Sequence, residues 1–342
     1  MIIDQMLSYD DVLLYPKHST IYSRSEVDIS IELCKGFGFS NPFIPANMLS
    51  IVGVELIKKV YSIGGLSILH RFMSIEDQLF TLTSLKKEFG DRLFDFVGVS
   101  VGIRNIDRDN IKLFADIGVK IVCVDIAHLD STQGIGMIKW ISTNYPSWLL
   151  IAGNVATGEG AASAWIAGAD VCKVGIGGGG ICSTRIETGC GVAQFSAIVD
   201  VAKIKPTIEK ELNKKLYSIS DGGIRNAGCC VKALCFSDMV MMGGYFAGCS
   251  EAPVEEIEIN GQKLKPYHGS STHKNSRIEG VKGVVHSKGS VLGLYKRLSE
   301  GVQSGCSYQN SRNLNELKLS PKFGQITNAG LMESKIHDVI ML

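Results

Sequence analysis

The chain has 342 residues, 45% of them apolar and 20% charged, with 35 basic against 34 acidic side chains. It holds enough core-forming material for one large α/β domain, and it is too apolar and too evenly charged to be intrinsically disordered. The balance leaves no electrostatic footprint for nucleic acid or for an acidic membrane surface, while a local basic pocket for phosphate stays compatible with it.

The first twenty residues contain no charged segment followed by an apolar one, so no secretory signal is expected. The longest uncharged stretch, Trp140 to Gly158, is broken by Asn144, Pro146, Gly153 and Asn154. It cannot form one membrane helix of about 20 residues. The ten cysteines form no CxxC pair and read as reduced thiols, so the expectation is a soluble, cytoplasmic protein.

Short apolar or β-branched runs predict strands at Phe43–Met48, Leu66–His70, Phe96–Val101, Ile121–Ile126, Leu149–Asn154, Val171–Gly175, Tyr217–Asp221 and Met239–Gly243. Helix-like segments lie between them, at Val54–Tyr61, Ile75–Glu88, Asp107–Asp116, Gly134–Thr143 and Ala161–Ala167. The strands are apolar on both faces, as parallel strands covered by helices are. The pattern predicts an α/β (β/α)8 barrel spanning residues 1–342 as a single domain. A doubly wound open sheet is the alternative, but no GxGxxG opens a helix after an early strand. Two connections are long: Gly175 to Leu216 after the sixth strand, and Ser250 to Gly289 after the eighth, ahead of a helix at Val291–Gly301. The charged tract Glu209–Lys215 reads as a solvated helix face. In barrel enzymes, excursions from the C-terminal ends of strands carry the chemistry.

The first of these excursions begins Gly175-Ile176-Gly177-Gly178-Gly179-Gly180-Ile181-Cys182-Ser183-Thr184-Arg185. Glycines in such density let backbone approach a ligand closely, with carbonyls available to a cation and amides to an anion. Cys182 is then either an incidental thiol in a turn or a nucleophile. Ser220-Asp221-Gly222-Gly223 and Met242-Gly243-Gly244 end the last two strands, where barrels bind phosphate. Asp221 is placed to hold a ribose diol. Each is also compatible with a tight turn and a capping aspartate, but together they point to a nucleotide phosphate site. His70-Arg71, Asp125 to His128 and Gly153-Asn154 add polar groups at other strand ends. The seven histidines show no HxH, HExxH or Cys/His cluster, so metal ligation by side chains is not indicated.

Several segments together resemble the IMP dehydrogenase / GMP reductase barrels. They are Tyr9-Asp10-Asp11-Val12-Leu13-Leu14, Ser23-Arg24-Ser25-Glu26, Pro45-Ala46-Asn47-Met48, Ile151-Ala152-Gly153-Asn154-Val155, the Cys182 loop and Ser220-Asp221-Gly222-Gly223-Ile224-Arg225. The stretch from Arg71 to Phe96 has no room for the regulatory CBS pair that the dehydrogenases usually insert. The segment from Ser270 to Gly280 carries Glu-Gly, as the reductases do, where dehydrogenases carry an Arg-Tyr pair that activates water. Thr188-Gly189 and Gln194-Phe195-Ser196-Ala197 are likewise reductase-like.

The resemblance therefore implies a GMP reductase, converting GMP and NADPH to IMP, ammonia and NADP+ through a covalent adduct on Cys182, with Thr184 and Glu279 handling the proton. It implies substrate contacts at Asp221, Gly222, Gly223, Gly243, Gly244, Tyr267, Ser270, Ser271, Arg277 and Gly280. Cofactor contacts would come from Arg71, Asp125, Ile126 and Ala127, and from Ser23 and Arg24 of a neighbouring subunit in a homotetramer. A potassium ion would lie on Gly177, Gly179 and Cys182, near Arg185. The alternatives are an IMP dehydrogenase without CBS domains, making XMP from IMP and NAD+, and a nucleotide-binding protein without turnover. The loop departs from the family's usual Gly-x-Gly-Pro-Gly-Ser-x-Cys by having Gly178 and Gly180 at the Pro and Ser positions. Gly269-Ser270-Ser271-Thr272 replaces the usual Gly-Met-Ser-Ser, the flap is short, and its arginine falls one residue closer to the glutamate than is common.

Overall fold

The computed structural model describes residues 3–269 and 280–336. Eight parallel strands form its centre: β1 (Phe43–Pro45), β2 (Ser67–Leu69), β3 (Val97–Val101), β4 (Ile121–Asp125), β5 (Leu149–Val155), β6 (Val171–Val174), β7 (Tyr217–Asp221) and β8 (Met239–Met242). Hydrogen-bonded neighbours run β1-β8-β7-β6-β5-β4-β3-β2, a (β/α)8 barrel in which every predicted strand is present to within one residue, except that β1 ends at Pro45, three residues short of the predicted Met48. The seam between β1 and β2 lacks a ladder. At its foot the Ser40 amide donates to the Gly64 carbonyl at 2.8 Å.

Buried on both faces, the strands are continuous apolar runs; all five residues of β3 and the first four of β4 are buried. The crossover helices are α1 (Val54–Ser62), α2 (Ile75–Phe89), α3 (Asn105–Asp116), α4 (Thr132–Asn144) and α5 (Gly158–Ile166). After β6 come α6 (Thr184–Thr188) and α7 (Gln194–Leu212), then α8 (Ala227–Leu234) after β7 and α9 (Val291–Tyr308) beyond β8. Several begin with a side-chain cap: Ser74, Ser131, Thr157, Asn226 and Ser290 each accept from a backbone N–H of the first turn. Helix α8 and most of α7 were not among the predicted elements; only the end of α7 was, as the helix face at Glu209–Lys215. Pro206 lies inside α7, where a proline obscures a helical pattern, and α8 is only eight residues long. No helix of the described residues is long and apolar enough to cross a membrane.

Two additions bear on the site. Near the N-terminus, Val12–Leu14 pairs antiparallel with Phe323–Gln325, and the preceding Tyr9 is buried with its hydroxyl 2.7 Å from Ser220 Oγ on β7. Beyond β8, an antiparallel sheet of β9 (Ile257–Ile259), β10 (Gln262–His268) and β11 (Lys282–His286) leaves the barrel and returns to it. The sequence reading left this segment as a loop.

At the N-terminal end of the barrel, Asp170 and Asp238 stand one residue ahead of β6 and β8. Their carboxylates accept the Leu150 and Ser218 amides at 2.9 and 2.8 Å, on β5 and β7. Each carboxylate is clamped by two lysines, Lys35 and Lys214 for the first, Lys205 and Lys318 for the second. Burial alone would raise the Asp238 carboxyl pKa, but the two ammonium groups outweigh it and hold the group well below the usual carboxylate range. A depressed folded-state pKa contributes stability that is whole above the unfolded value, about 4, and is lost as pH falls through the folded one. Asp238→Asn is expected to cost about 2–3 kcal/mol at pH 7, since both lysines keep some solvent contact, and to cost less below pH 4. Urea unfolding midpoints between pH 3 and 7 test this; a deficit independent of pH would refute it.

Candidate active site

The C-terminal ends of β4 to β7 are joined by one buried cation. Lys173 lies within β6, and its Nζ reaches Asp125 Oδ1 on β4 at 2.8 Å and Asp221 Oδ2 on β7 at 3.3 Å. Burial would lower its pKa, but the two carboxylates more than reverse this and the ammonium is held charged well above its ordinary range. Burial likewise opposes ionisation of Asp125, and Lys173, Arg71 and Asn47 overcome it, leaving the carboxylate's pKa lowered. Asn154 on β5 donates to the Gly175 carbonyl at 2.7 Å and to Asp221 Oδ2 at 2.9 Å. Arg71 Nε donates to the Asp125 carbonyl at 3.0 Å. Both tethers of the Asp221 side chain fall on Oδ2, and no donor of the described residues holds Oδ1.

Above this floor lie two adjoining cavities that share Ala46, Met48 and Asp221 on their walls. The smaller, about 230 Å³, is lined by Cys182, Thr184, Gly177, Arg71 and Asp125 to Ala127. Here the Cys182 thiol donates to Thr184 Oγ1 at 3.1 Å. Seven of the ten cysteines are buried and only Cys34, Cys182 and Cys190 are not; of all ten, Cys182 alone lines either cavity among the described residues. Burial pushes the Cys123 and Cys306 thiols up to about 12, which keeps them inert. His70 is also no proton donor near neutrality. Burial pushes it down to about 4, and its Nδ1 accepts the Phe72 amide at 3.2 Å.

The larger cavity, about 610 Å³, is walled by three glycine turns: Gly178–Gly180, Gly222–Gly223 and Gly243–Gly244. Close approach explains the glycines. Gly222 has φ +103°, and a methyl group there would come 3.2 Å from the Gly178 carbonyl carbon; at Gly243 it would meet the Tyr267 hydroxyl at 2.3 Å. Tyr267 is buried on this wall and its phenol is pushed up by burial, so it stays a hydrogen-bond donor. Gln194 sits beneath the first two turns. Its Nε2 donates to the Val174 carbonyl and to Ser220 Oγ, while Oε1, buried on the cavity wall, has no partner among the described residues.

The structure therefore gathers Asp221, Gly222, Gly223, Gly243, Gly244, Tyr267 and Gly179 around one cavity, and Cys182, Thr184, Gly177, Arg71, Asp125, Ile126 and Ala127 around the other. Arg185 lines neither; its guanidinium binds the Ile176 and Val192 carbonyls and so ties down the glycine loop. Gly280 lies beside the loop, and the Val281 amide next to it donates to the Ile181 carbonyl at 3.0 Å. Ser23 and Arg24 line neither cavity of their own chain. Ser270, Ser271, Arg277 and Glu279 lie outside the described residues. Sequence reasoning passed over Lys173, although a lysine inside an apolar strand is a signal in itself, and also Tyr9, Gln194 and Lys288 as site residues.

The comparisons with known proteins agree with this geometry. Residues 6–337 match the family model described as "IMP dehydrogenase / GMP reductase domain". A GMP reductase of Staphylococcus aureus is 35% identical over 92% of this chain and 94% of its own length. The inosine-5'-monophosphate dehydrogenase of Borreliella burgdorferi is 32% identical over 100% of this chain and 99% of its own. The crystal structure of GMP reductase from Trypanosoma brucei in complex with guanosine 5'-monophosphate superposes with a TM-score of 0.87, at 25% identity, over 99% of each chain.

Replacing Lys173 by Met would leave Asp125 and Asp221 buried without their cation. Breaking a buried pair in this way is expected to cost about 3–5 kcal/mol at pH 7. Part of the loss should return toward pH 5, as one unopposed carboxylate takes up a proton. Urea unfolding at the two pH values checks both the size and the sign.

Proposed function

The chain belongs to the IMP dehydrogenase / GMP reductase family, and within it we propose a GMP reductase that uses NADPH to convert GMP to IMP and ammonia. The observation that carries the reading is the Cys182–Thr184 pair on the wall of the smaller cavity, which Asp125 to Ala127 also line and which adjoins the glycine-lined chamber. The Glu279-Gly280 pair, in place of the dehydrogenases' Arg-Tyr, supports the reductase branch.

In this mechanism the larger cavity holds the ribose and phosphate of GMP, with the free Oδ1 of Asp221 on the ribose diol. Cys182, as thiolate, attacks C2 of the purine. The exocyclic amine leaves as ammonia after protonation through Thr184 and Glu279, which gives a thioimidate. NADPH would be held against Arg71 and Asp125 to Ala127 and would supply the hydride that C2 takes up; expulsion of the Cys182 thiolate then releases IMP. A covalent adduct replaces one difficult displacement by two easier steps. Water must stay out meanwhile, because hydrolysis of the adduct would give XMP. The Val281 amide donates to the carbonyl of Ile181, the residue before Cys182, so β11 is tied to the loop that carries the thiol.

Ser271, Ser270 and Arg277 complete the purine side of this reading. The carbonyls of Gly177, Gly179 and Cys182 would offer oxygen donors without carboxylates, which suits potassium better than a divalent ion. Bound there, potassium would fix the loop that presents the thiol. Ser23 and Arg24, which miss both cavities of their own chain, would serve the cofactor of an adjacent subunit in a tetramer.

NADPH absorbance should fall on mixing with GMP in potassium buffer, yielding IMP and ammonia in equal amounts. XMP from IMP and NAD+, without that signal, would make the protein a dehydrogenase. Cys182→Ala should still bind GMP but lose turnover by about a thousandfold or more. Glu279→Gln should slow ammonia release more than it weakens GMP binding, and a variant with normal turnover would remove Glu279 from the mechanism.

A further inference from the structure

The wall of the larger cavity carries a cation with no counter-charge. Lys288, two residues beyond β11, lines this cavity close to Gly283, Val284 and Val285. An ammonium group has three N–H donors. Two of those on Lys288 are engaged by the carbonyls of Gly244 and Tyr245, at 2.9 and 3.1 Å. Among the described residues no carboxylate forms an ion pair with Lys288 or with Arg297, the second cation beside Tyr245.

Two neighbouring cations show what a satisfied side chain looks like here. Lys265 spends three N–H bonds on the carbonyls of Cys249, Ser250 and Ala252, at 2.9, 3.0 and 3.1 Å, and is a closed staple. Arg225, also on the cavity wall, is paired with Asp10. Lys288 differs from both: among the described residues it is half-buried, has two carbonyl acceptors rather than three, and beyond them only the Tyr245 ring, whose centroid lies 5.1 Å from Nζ. Desolvation, with Arg297 adding to it, lowers its pKa, the strain that a bound anion relieves.

We propose that Lys288 is the anion reader of the larger cavity, giving its third N–H and its unpaired charge to the 5'-phosphate of the substrate and so setting a preference for nucleoside monophosphate over nucleoside. This rests on the reading of that cavity as the GMP site. The same ammonium holds the carbonyls of the Gly243–Tyr245 turn, so the turn and the phosphate meet on one side chain. β11 lines the same cavity through Gly283, Val284 and Val285, so the phosphate would meet this strand as well.

The test is calorimetric titration of the full-length protein with GMP, and with guanosine by displacement of GMP, in wild type, Lys288→Met and Lys288→Arg. The Met variant should bind GMP at least tenfold more weakly with guanosine changed less than twofold, and the Arg variant should recover to within threefold. Unaltered GMP affinity in Lys288→Met would overturn the proposal. So would equal weakening of GMP and guanosine, which would make Lys288 a strut of the turn. Binding is the readout, so the expected pattern in a protein that fails to oxidise NADPH with GMP would remove the reductase reading and leave the phosphate assignment standing.

Discussion

A buried ammonium between two carboxylates organises this molecule's working end. Lys173 is almost wholly inaccessible, and it draws Asp125 of β4 and Asp221 of β7 toward β6. In such surroundings neither sign of charge is tolerable alone, since each would shed its ionisation. Together they keep one another charged. The consequence is geometric: the side chains of Lys173 and Asn154 fix Asp221 Oδ2, and Oδ1 is left over. A carboxylate on a flexible tether would have to be ordered on any binding event, whereas this one is already held in place. Arg71 is drawn into the same set through the Asp125 carbonyl.

The opposite end uses related pieces for another purpose. Asp170 and Asp238 also sit at strand ends, but each is closed off by a backbone amide and two lysines. Nothing remains for a ligand, and the lysines keep some contact with water. Two carboxylates there stitch β5 to β6 and β7 to β8, the strands that also carry Asn154, Lys173, Asp221 and the Gly243–Gly244 turn. Rigidity at the foot of these four strands thus serves precision at their tops.

What the sequence makes legible follows from the range of the interactions involved. The eight strands read clearly because burial on both faces leaves an uninterrupted apolar run, a local property. The glycine turns read clearly too, since a backbone that must pass another backbone at van der Waals distance admits little else. The sheet beyond β8 was harder, because nine of its fifteen strand residues are exposed and mix polar side chains with apolar ones. One signal was present: Asn260-Gly261, with φ of +52° and +75°, joins β9 to β10 as a hairpin dipeptide does. Lys288 and Gln194 had no such signal. Their meaning depends on which carbonyls approach from Gly244, Tyr245 and Val174, and no periodicity encodes that.

The glycine loop shows how departures from a family pattern can be judged by space. Gly177 has φ +77° and lies against the Arg185 side chain, so a glycine is required there. Gly180 has nothing within 4 Å of where a side chain would begin, so neither crowding nor a positive φ demands it. Replacing the usual proline and serine by Gly178 and Gly180 therefore gives up stiffness that this chain must supply in another way. It does so with three contacts, two of them from outside the glycine run. Arg185 grips the Ile176 carbonyl from the following helix, the Cys182 amide closes onto Gly179, and Val281 pins Ile181 from the returning strand. The Cys182 thiol thus sits on a permissive backbone on which three contacts converge, and one of them comes from Val281, the residue just ahead of β11.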